Sequence, residues 1–122
     1  MFDRAVAIVE GYLGDDPVER KTQSGKTKVS LSIGVNKSYK NPKTDEWESS
    51  TDWHKIIVVN PNLVEKALKC KKGAYVRAEG NLEKRSYEKE GVNYNVTEVI
   101  LIGDGSTLRY KNKADLEVSP NK

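Results

Sequence analysis

Apolar positions along this chain recur in short runs and at period two, and only one stretch departs from that pattern. Val6-Ala7-Ile8-Val9 is a brief, β-branched apolar run, and Gly14-Asp15-Asp16-Pro17 ends that element with turn chemistry. A second turn signal, Gln23-Ser24-Gly25-Lys26, precedes Val29-Ser30-Leu31-Ser32-Ile33-Gly34-Val35. The alternation of apolar with small or polar residues there predicts a half-buried strand. Asn36 to Asp52 is polar and too long for a tight turn. With Tyr39, Pro42 and Trp47 set among lysines and acids, it reads as an extended loop or a protruding hairpin. Trp53 to Val59 resumes strand character through Ile56-Ile57-Val58-Val59.

The exception follows at once. Asn60 is placed to cap a helix whose first position is Pro61, where the missing N–H costs nothing. Leu63, Val64, Ala67 and Leu68 keep helical spacing, and Lys69, Lys71 and Lys72 suit a C-terminal end before Gly73. Ala74 to Leu82 and Tyr94 to Ile102 then read as strands. The polar Lys84 to Gly91 forms a second hairpin loop between them, and Gly103-Asp104-Gly105-Ser106 breaks the last strand. The predicted order is three strands, a short helix, then two strands. That is the order of an all-β, five-stranded Greek-key barrel of the oligonucleotide/oligosaccharide-binding (OB) type, with its helix between the third and fourth strands and protruding hairpin loops.

Length and composition fit this picture. The 122 residues, 36% hydrophobic and 32% charged, suffice for one domain, which we place at residues 1–110. Residues 111–122 are expected to form a short flexible tail, with weak order setting in from the polar stretch at Arg109. The lone Cys70 excludes an internal disulfide framework and suits a reducing, cytoplasmic setting. No apolar run approaches a membrane span, and Met1-Phe2-Asp3-Arg4 does not begin a secretion signal. The formal net charge of +3 permits a nucleic-acid partner without demanding one, so the placement of charge matters more than its sum.

Catalysis finds no foothold. His54 is the single histidine, and with Asp52 on the same strand face it supplies two metal ligands at most, so no metal and no cofactor are expected. Cys70 falls where the helical spacing turns inward and reads as a small buried hydrophobe. Cations and aromatics offer more. Tyr39 lies beside Lys40, Tyr87 near Arg85, and Trp53 near Lys55. Rings in cationic loops are poor core candidates, because burying them would drag charges inward. They are suited to stack on unpaired bases while the cations meet phosphates, which points to single strands. Trp47, between Glu46 and Glu48, is read as structural, since those acids would repel a phosphate. A protein-binding adaptor and an RNA-binding module stay open as alternatives.

Four segments, in order and at compatible spacing, resemble the bacterial single-stranded DNA-binding protein family. They are Gly11-Tyr12-Leu13-Gly14-Asp15-Asp16-Pro17 with Thr22 to Lys26; Glu46-Trp47 with Thr51 to Lys55; Lys71-Lys72-Gly73 with Val76 and Glu79 to Leu82; and Tyr94 with Thr97-Glu98-Val99. The resemblance runs from about Ala5 to Leu108. It implies an OB barrel that coats and protects single-stranded DNA during replication, recombination and repair, usually as a homotetramer. By position, it assigns base stacking to Tyr39, Trp53 and Tyr87. It sets Lys40, Lys55, Lys71, Lys72 and Arg85 at or beside phosphate contacts, and His54, Tyr75 and Arg77 at subunit interfaces.

Three departures qualify that likeness. Val59 stands where the family commonly stacks a phenylalanine. Tyr75 and Arg77 are atypical at positions that pair dimers into tetramers, so a dimer is expected more firmly than a tetramer. The chain closes on Leu116 to Lys122 without the family's long linker and acidic tip, which recruits replication proteins. It is therefore expected to be a truncated or tailless form, from a bacterial nucleoid, a phage or a plasmid, and less readily an organelle.

Overall fold

A computed structural model describes residues 3–103 and 105–112. In chain order the strands are β1 (Val6–Leu13), β2 (Val18–Lys21), β3 (Thr27–Lys40), β4 (Trp47–Val58), β5 (Tyr75–Lys89), β6 (Val92–Leu101) and β7 (Thr107–Lys111). One helix, α1 (Pro61–Leu68), lies between β4 and β5. The principal strands pair in the order β1-β3-β4-β6-β5, and β5 pairs back on β1, which closes the ring. Closure removes the unpaired edges that an open sheet would expose. The β4–β6 junction is parallel and the other ladders are antiparallel.

Alternation decides what fills the barrel. Val29, Leu31 and Ile33 of β3 point inward, as do Ile56 and Val58 of β4, Val76 and Ala78 of β5, and Val99 and Leu101 of β6. The intervening residues face outward. Helix α1 plugs one end by turning Ala67 inward, with Leu63 and Val64 packed against the core. Its start is as predicted: the Asn60 side chain accepts from the Asn62 backbone N–H at 2.9 Å, and Pro61 holds the first turn. Cys70 is buried beside it, and burial pushes its thiol pKa up to about 11, so it behaves as an inert hydrophobe.

The polar stretches are the main extension of the sequence reading. Asn36 to Asp52 is a hairpin: β3 and β4 stay paired from Val29↔Val58 to Lys40↔Trp47. Lys84 to Gly91 is likewise ladder almost throughout, from Asn81↔Ile100 to Lys89↔Val92, closed by Glu90 and Gly91 at φ 52° and 79°. The β4–β6 pairing covers only Lys55–Val58 against Glu98–Leu101, so beyond Lys55 and Glu98 the two hairpins part as separate arms.

Two strands, β2 and β7, add to the five expected from sequence. β2 pairs with the start of β3, and β7 pairs with Tyr75–Glu79 of β5 while burying Leu108. Arg109 to Lys111 is thus strand rather than weakly ordered tail, because Leu108 and Tyr110 alternate inward and the β5 edge supplies backbone partners. Asn112 continues the tie, accepting from the Lys71 N–H at 3.0 Å and donating to the Lys69 carbonyl at 3.2 Å. The tail expected over 111–122 lies outside the described residues from 113 onward.

Candidate nucleic-acid interface

Register places the candidate residues on definite faces. Leu31 opposite Ile56 defines the inner face of the β3–β4 ladder, so Gly34 opposite Trp53 and Lys40 opposite Trp47 lie on the outer face. The same count across β6 and β5 puts Val96, Tyr94, Arg85 and Tyr87 on that outer face with Lys55 and Glu98. One outer surface therefore carries two of the three predicted stacking residues, Trp53 and Tyr87, together with Lys40, Lys55 and Arg85.

Trp53 is 58% exposed, yet its ring has a defined seat. A Cβ added at Gly34 would lie 2.8 Å from the indole, and one at Gly14 would lie 2.6 Å from it. Both glycines thus leave the room in which the edge of the indole rests against the β1–β2 turn and β3. Lys71 and Lys72 border the same end. The Gly73 N–H donates to Leu13 O at 3.0 Å, and the Lys72 N–H donates to the Asp16 carboxylate at 2.8 Å, which holds their turn beside Gly14.

Between Trp53 and Tyr87 lies an ionic knot. Glu98, only 6% exposed, accepts from Arg85 Nε at 2.9 Å and meets Lys55 Nζ at 3.5 Å. Hydrogen bonding from Arg85 holds the Glu98 carboxyl below its usual range, and the same bond raises the guanidinium. Two of the predicted phosphate contacts are therefore already half neutralised, with one anion shared by two cations. Their side chains remain about half exposed, so donors are left for a phosphate. Lys40 is paired in turn with Asp45 at 3.1 Å.

Tyr87 stacks on Tyr94, with ring centroids 5.3 Å apart and planes 19° from parallel, and the Arg85 guanidinium lies 5.7 Å from the Tyr87 ring centre. Tyr94 is not among the stacking residues expected from sequence; its place opposite Tyr87 in the hairpin is the available signal. Tyr39 is exposed too, but it lies opposite Glu48 on the other face of the β3–β4 arm. The structure does not bring it together with Trp53. Hydrogen bonds from Asn41 and Tyr39 hold Glu48 below the usual carboxylate range. Trp47, read as structural, is 72% exposed and on the outer face, a correction that follows from alternation: its neighbour Glu48 points the opposite way.

The residues assigned to subunit contacts fall in two places. His54 lies on the inner face opposite Ile33, at a groove of about 500 Å³ that Ile8, Val35, Leu82 and Val99 also line. Tyr75 meets Tyr12 edge to face at 4.9 Å and donates to the Glu10 carboxylate at 3.0 Å, while Arg77 pairs with Glu79 at 3.5 Å. Val59 is half-buried and follows β4, its N–H donating to Leu101 O at 3.1 Å. Among the described residues, no three His, Cys, Asp or Glu side chains are grouped to hold a metal ion, and no helix is long and apolar enough to cross a membrane.

Comparison with known proteins agrees with this geometry. A single-stranded DNA-binding protein of Rhizobium meliloti (strain 1021) is 34% identical over 103 residues, covering 83% of this chain. The present chain spans 59% of that relative's length. Among solved structures, an SSB of Plasmodium falciparum in complex with ssDNA matches with a TM-score of 0.81 at 26% identity, over 92% of this chain and 98% of that one. A small single-stranded DNA-binding protein from Streptomyces coelicolor shares the fold, with a TM-score of 0.66 at 17% identity over 90% and 96% of the two chains. The family model for single-strand binding proteins matches residues 5–103, nearly the whole barrel and both arms, and the chain belongs to the single-strand binding protein family.

Proposed function

We propose that this chain binds single-stranded DNA with little regard for sequence and protects it during replication, recombination and repair, without catalysis. The observation that carries the reading is the outer face itself. Trp53 on its glycine seat and the Tyr87–Tyr94 stack flank the Lys55–Glu98–Arg85 knot on one surface, with the Lys71–Lys72 turn at its edge. Rings take bases by stacking, which every base tolerates, and cations take phosphates. A duplex hides its base faces, so the arrangement suits a single strand. Tyr39, on the far side of its arm, takes a base only from a strand that passes around the arm, as wrapping would bring about.

Self-association belongs to the same proposal. The groove at His54 has an apolar lining that a second copy would cover, giving a dimer, and the Tyr12–Tyr75 surface with Arg77 would pair dimers into a tetramer. The working unit is the barrel domain at residues 1–110, acting in the bacterial cytoplasm or for a phage or plasmid. Tryptophan quenching on titration with oligothymidine, and separately with oligouridine, tests the reading. Tight quenching by oligothymidine supports it. Preference for oligouridine would make the chain an RNA module, and no response to either at low salt would make it an adaptor.

A further inference from the structure

We infer that Trp47, at the tip of the β3–β4 arm, is an additional base-stacking platform that carries the single-strand path outward from Trp53. The inference rests on the function proposed above and extends it to a residue outside that site. Trp47 and Trp53 are six positions apart on one strand, so both project from the outer face. At about 3.3 Å per residue they are roughly 20 Å apart, a span of about six nucleotides at the spacing of a duplex strand and fewer when extended.

The surface between them is shaped for a chain to lie along it. The outward residues of β4 are Ser49 and Thr51, facing Ser38 and Asn36 across the ladder, and the Thr51 hydroxyl is bonded to the Asn36 side-chain oxygen at 2.6 Å. Small polar side chains leave a shallow lane with an indole at each end. Lys40 stands directly opposite Trp47, paired with Asp45 but half exposed, which puts a cation beside the ring as Lys55, itself paired with Glu98, is placed near Trp53. Of the two acids that flank Trp47 in sequence, Glu48 faces the other side and is held there by Asn41 Nδ2 at 3.1 Å, while Glu46 precedes β4 at the turn, its carbonyl accepting from the Asn41 N–H. The tip is also fixed, since Asn41 and Glu46 close the ladder at 2.8 Å and Asp45 N–H donates to Asn41 O at 2.7 Å. A backbone already fixed at the tip needs less ordering when a base arrives.

The two tryptophans are the whole tryptophan content, so each can be read alone. In Trp53→Phe, emission comes from Trp47, and oligothymidine of about 16 nucleotides should quench it, whereas one of about 4, the short end of OB-fold site sizes, should quench it far less. Trp47→Ala should weaken binding of the longer oligomer by at least about 5-fold while leaving the shorter one unchanged. Binding of the longer oligomer by Trp53→Phe, measured by anisotropy of a labelled strand, with Trp47 emission unmoved would overturn the inference and leave the proposed function standing. So would a Trp47→Ala variant that binds normally but sediments differently, which would assign the ring to a contact between copies. If the unaltered protein binds neither oligomer, the underlying function fails and the inference falls with it.

Discussion

Arg85 Nε and Glu98 Oε1 meet at 2.9 Å at the fork where the two hairpin arms part. The carboxylate is buried and its Arg85 partner is half exposed, so the pair fixes the fork from inside while presenting a cation outside. Its depressed pKa sets a pH dependence with a definite sign. Stability from Glu98 is complete above the ordinary glutamate value of about 4.3 and is lost as pH falls through the lower folded-state value. Glu98→Gln should therefore cost about 1–2 kcal/mol at neutral pH. Urea unfolding of both proteins from pH 7 to pH 3 should show the gap closing in acid; a gap that persists would remove this role from Glu98.

Trp53 depends on the absence of side chains beneath it. Gly34→Ala places a Cβ 2.8 Å from the indole, between two paired strands that have little room to part. The expected cost is about 1–3 kcal/mol of stability, with weaker oligothymidine binding and a changed near-UV dichroism as the ring is lifted. Unchanged dichroism together with unchanged affinity would mean that the ring does not rest on Gly34.

The β5–β6 turn offers a gain instead. Glu90 is held at φ 52°, a left-handed conformation that suits asparagine far better than glutamate, and Gly91 follows it at 79°. Glu90→Asn should stabilise the protein by about 0.5–1 kcal/mol. Thermal melts of the two proteins decide the point, and an equal or lower midpoint in the variant contradicts it.

Tyr39 and Tyr87 should not behave alike. Tyr87→Ala removes a ring from the outer face and breaks the stack with Tyr94, so oligothymidines of every length that reach the fork should lose about 1–3 kcal/mol of affinity. Tyr39→Ala should act only on strands long enough to pass around the arm. Titration across a length series separates the two, and identical profiles would contradict the opposed faces.

Much of this was legible in the sequence because burial writes itself as periodicity. Leu31, Ile33 and Val29 alternate with serines since one face of β3 fills the barrel, and Asn60-Pro61 announces α1 by capping chemistry alone. The paired length of the arms is harder to read for the converse reason, so Asn36 to Asp52 reads as either an extended loop or a hairpin. From Asn36 to Asp52 both faces are in solvent, so backbone pairing holds the hairpin and leaves no hydrophobic rhythm. β2 is hidden likewise, as Val18 to Lys21 are all exposed. β7 had a signal in Leu108 and Tyr110, but two apolar positions among cations are too few to outweigh a polar tail. At the site, neighbours in sequence misled: Glu48 counted against Trp47 although a strand sends them to opposite faces, and the Glu98 that binds Lys55 and Arg85 is remote from both in the chain.

The central claim is that a single strand lies on the outer face with a base stacked on Trp53. Its most direct test compares unaltered protein with Trp53→Ala in equilibrium titrations against oligothymidine, a mixed-sequence single strand and the matching duplex, over a range of salt. The account predicts a loss of about 1–3 kcal/mol in the variant, nearly equal for both single strands, and a slope of log K against log[salt] near −0.7 per phosphate neutralised. Weak duplex binding should leave little to lose. Equal affinity of the two proteins for both single strands, or a flat salt profile, would contradict it.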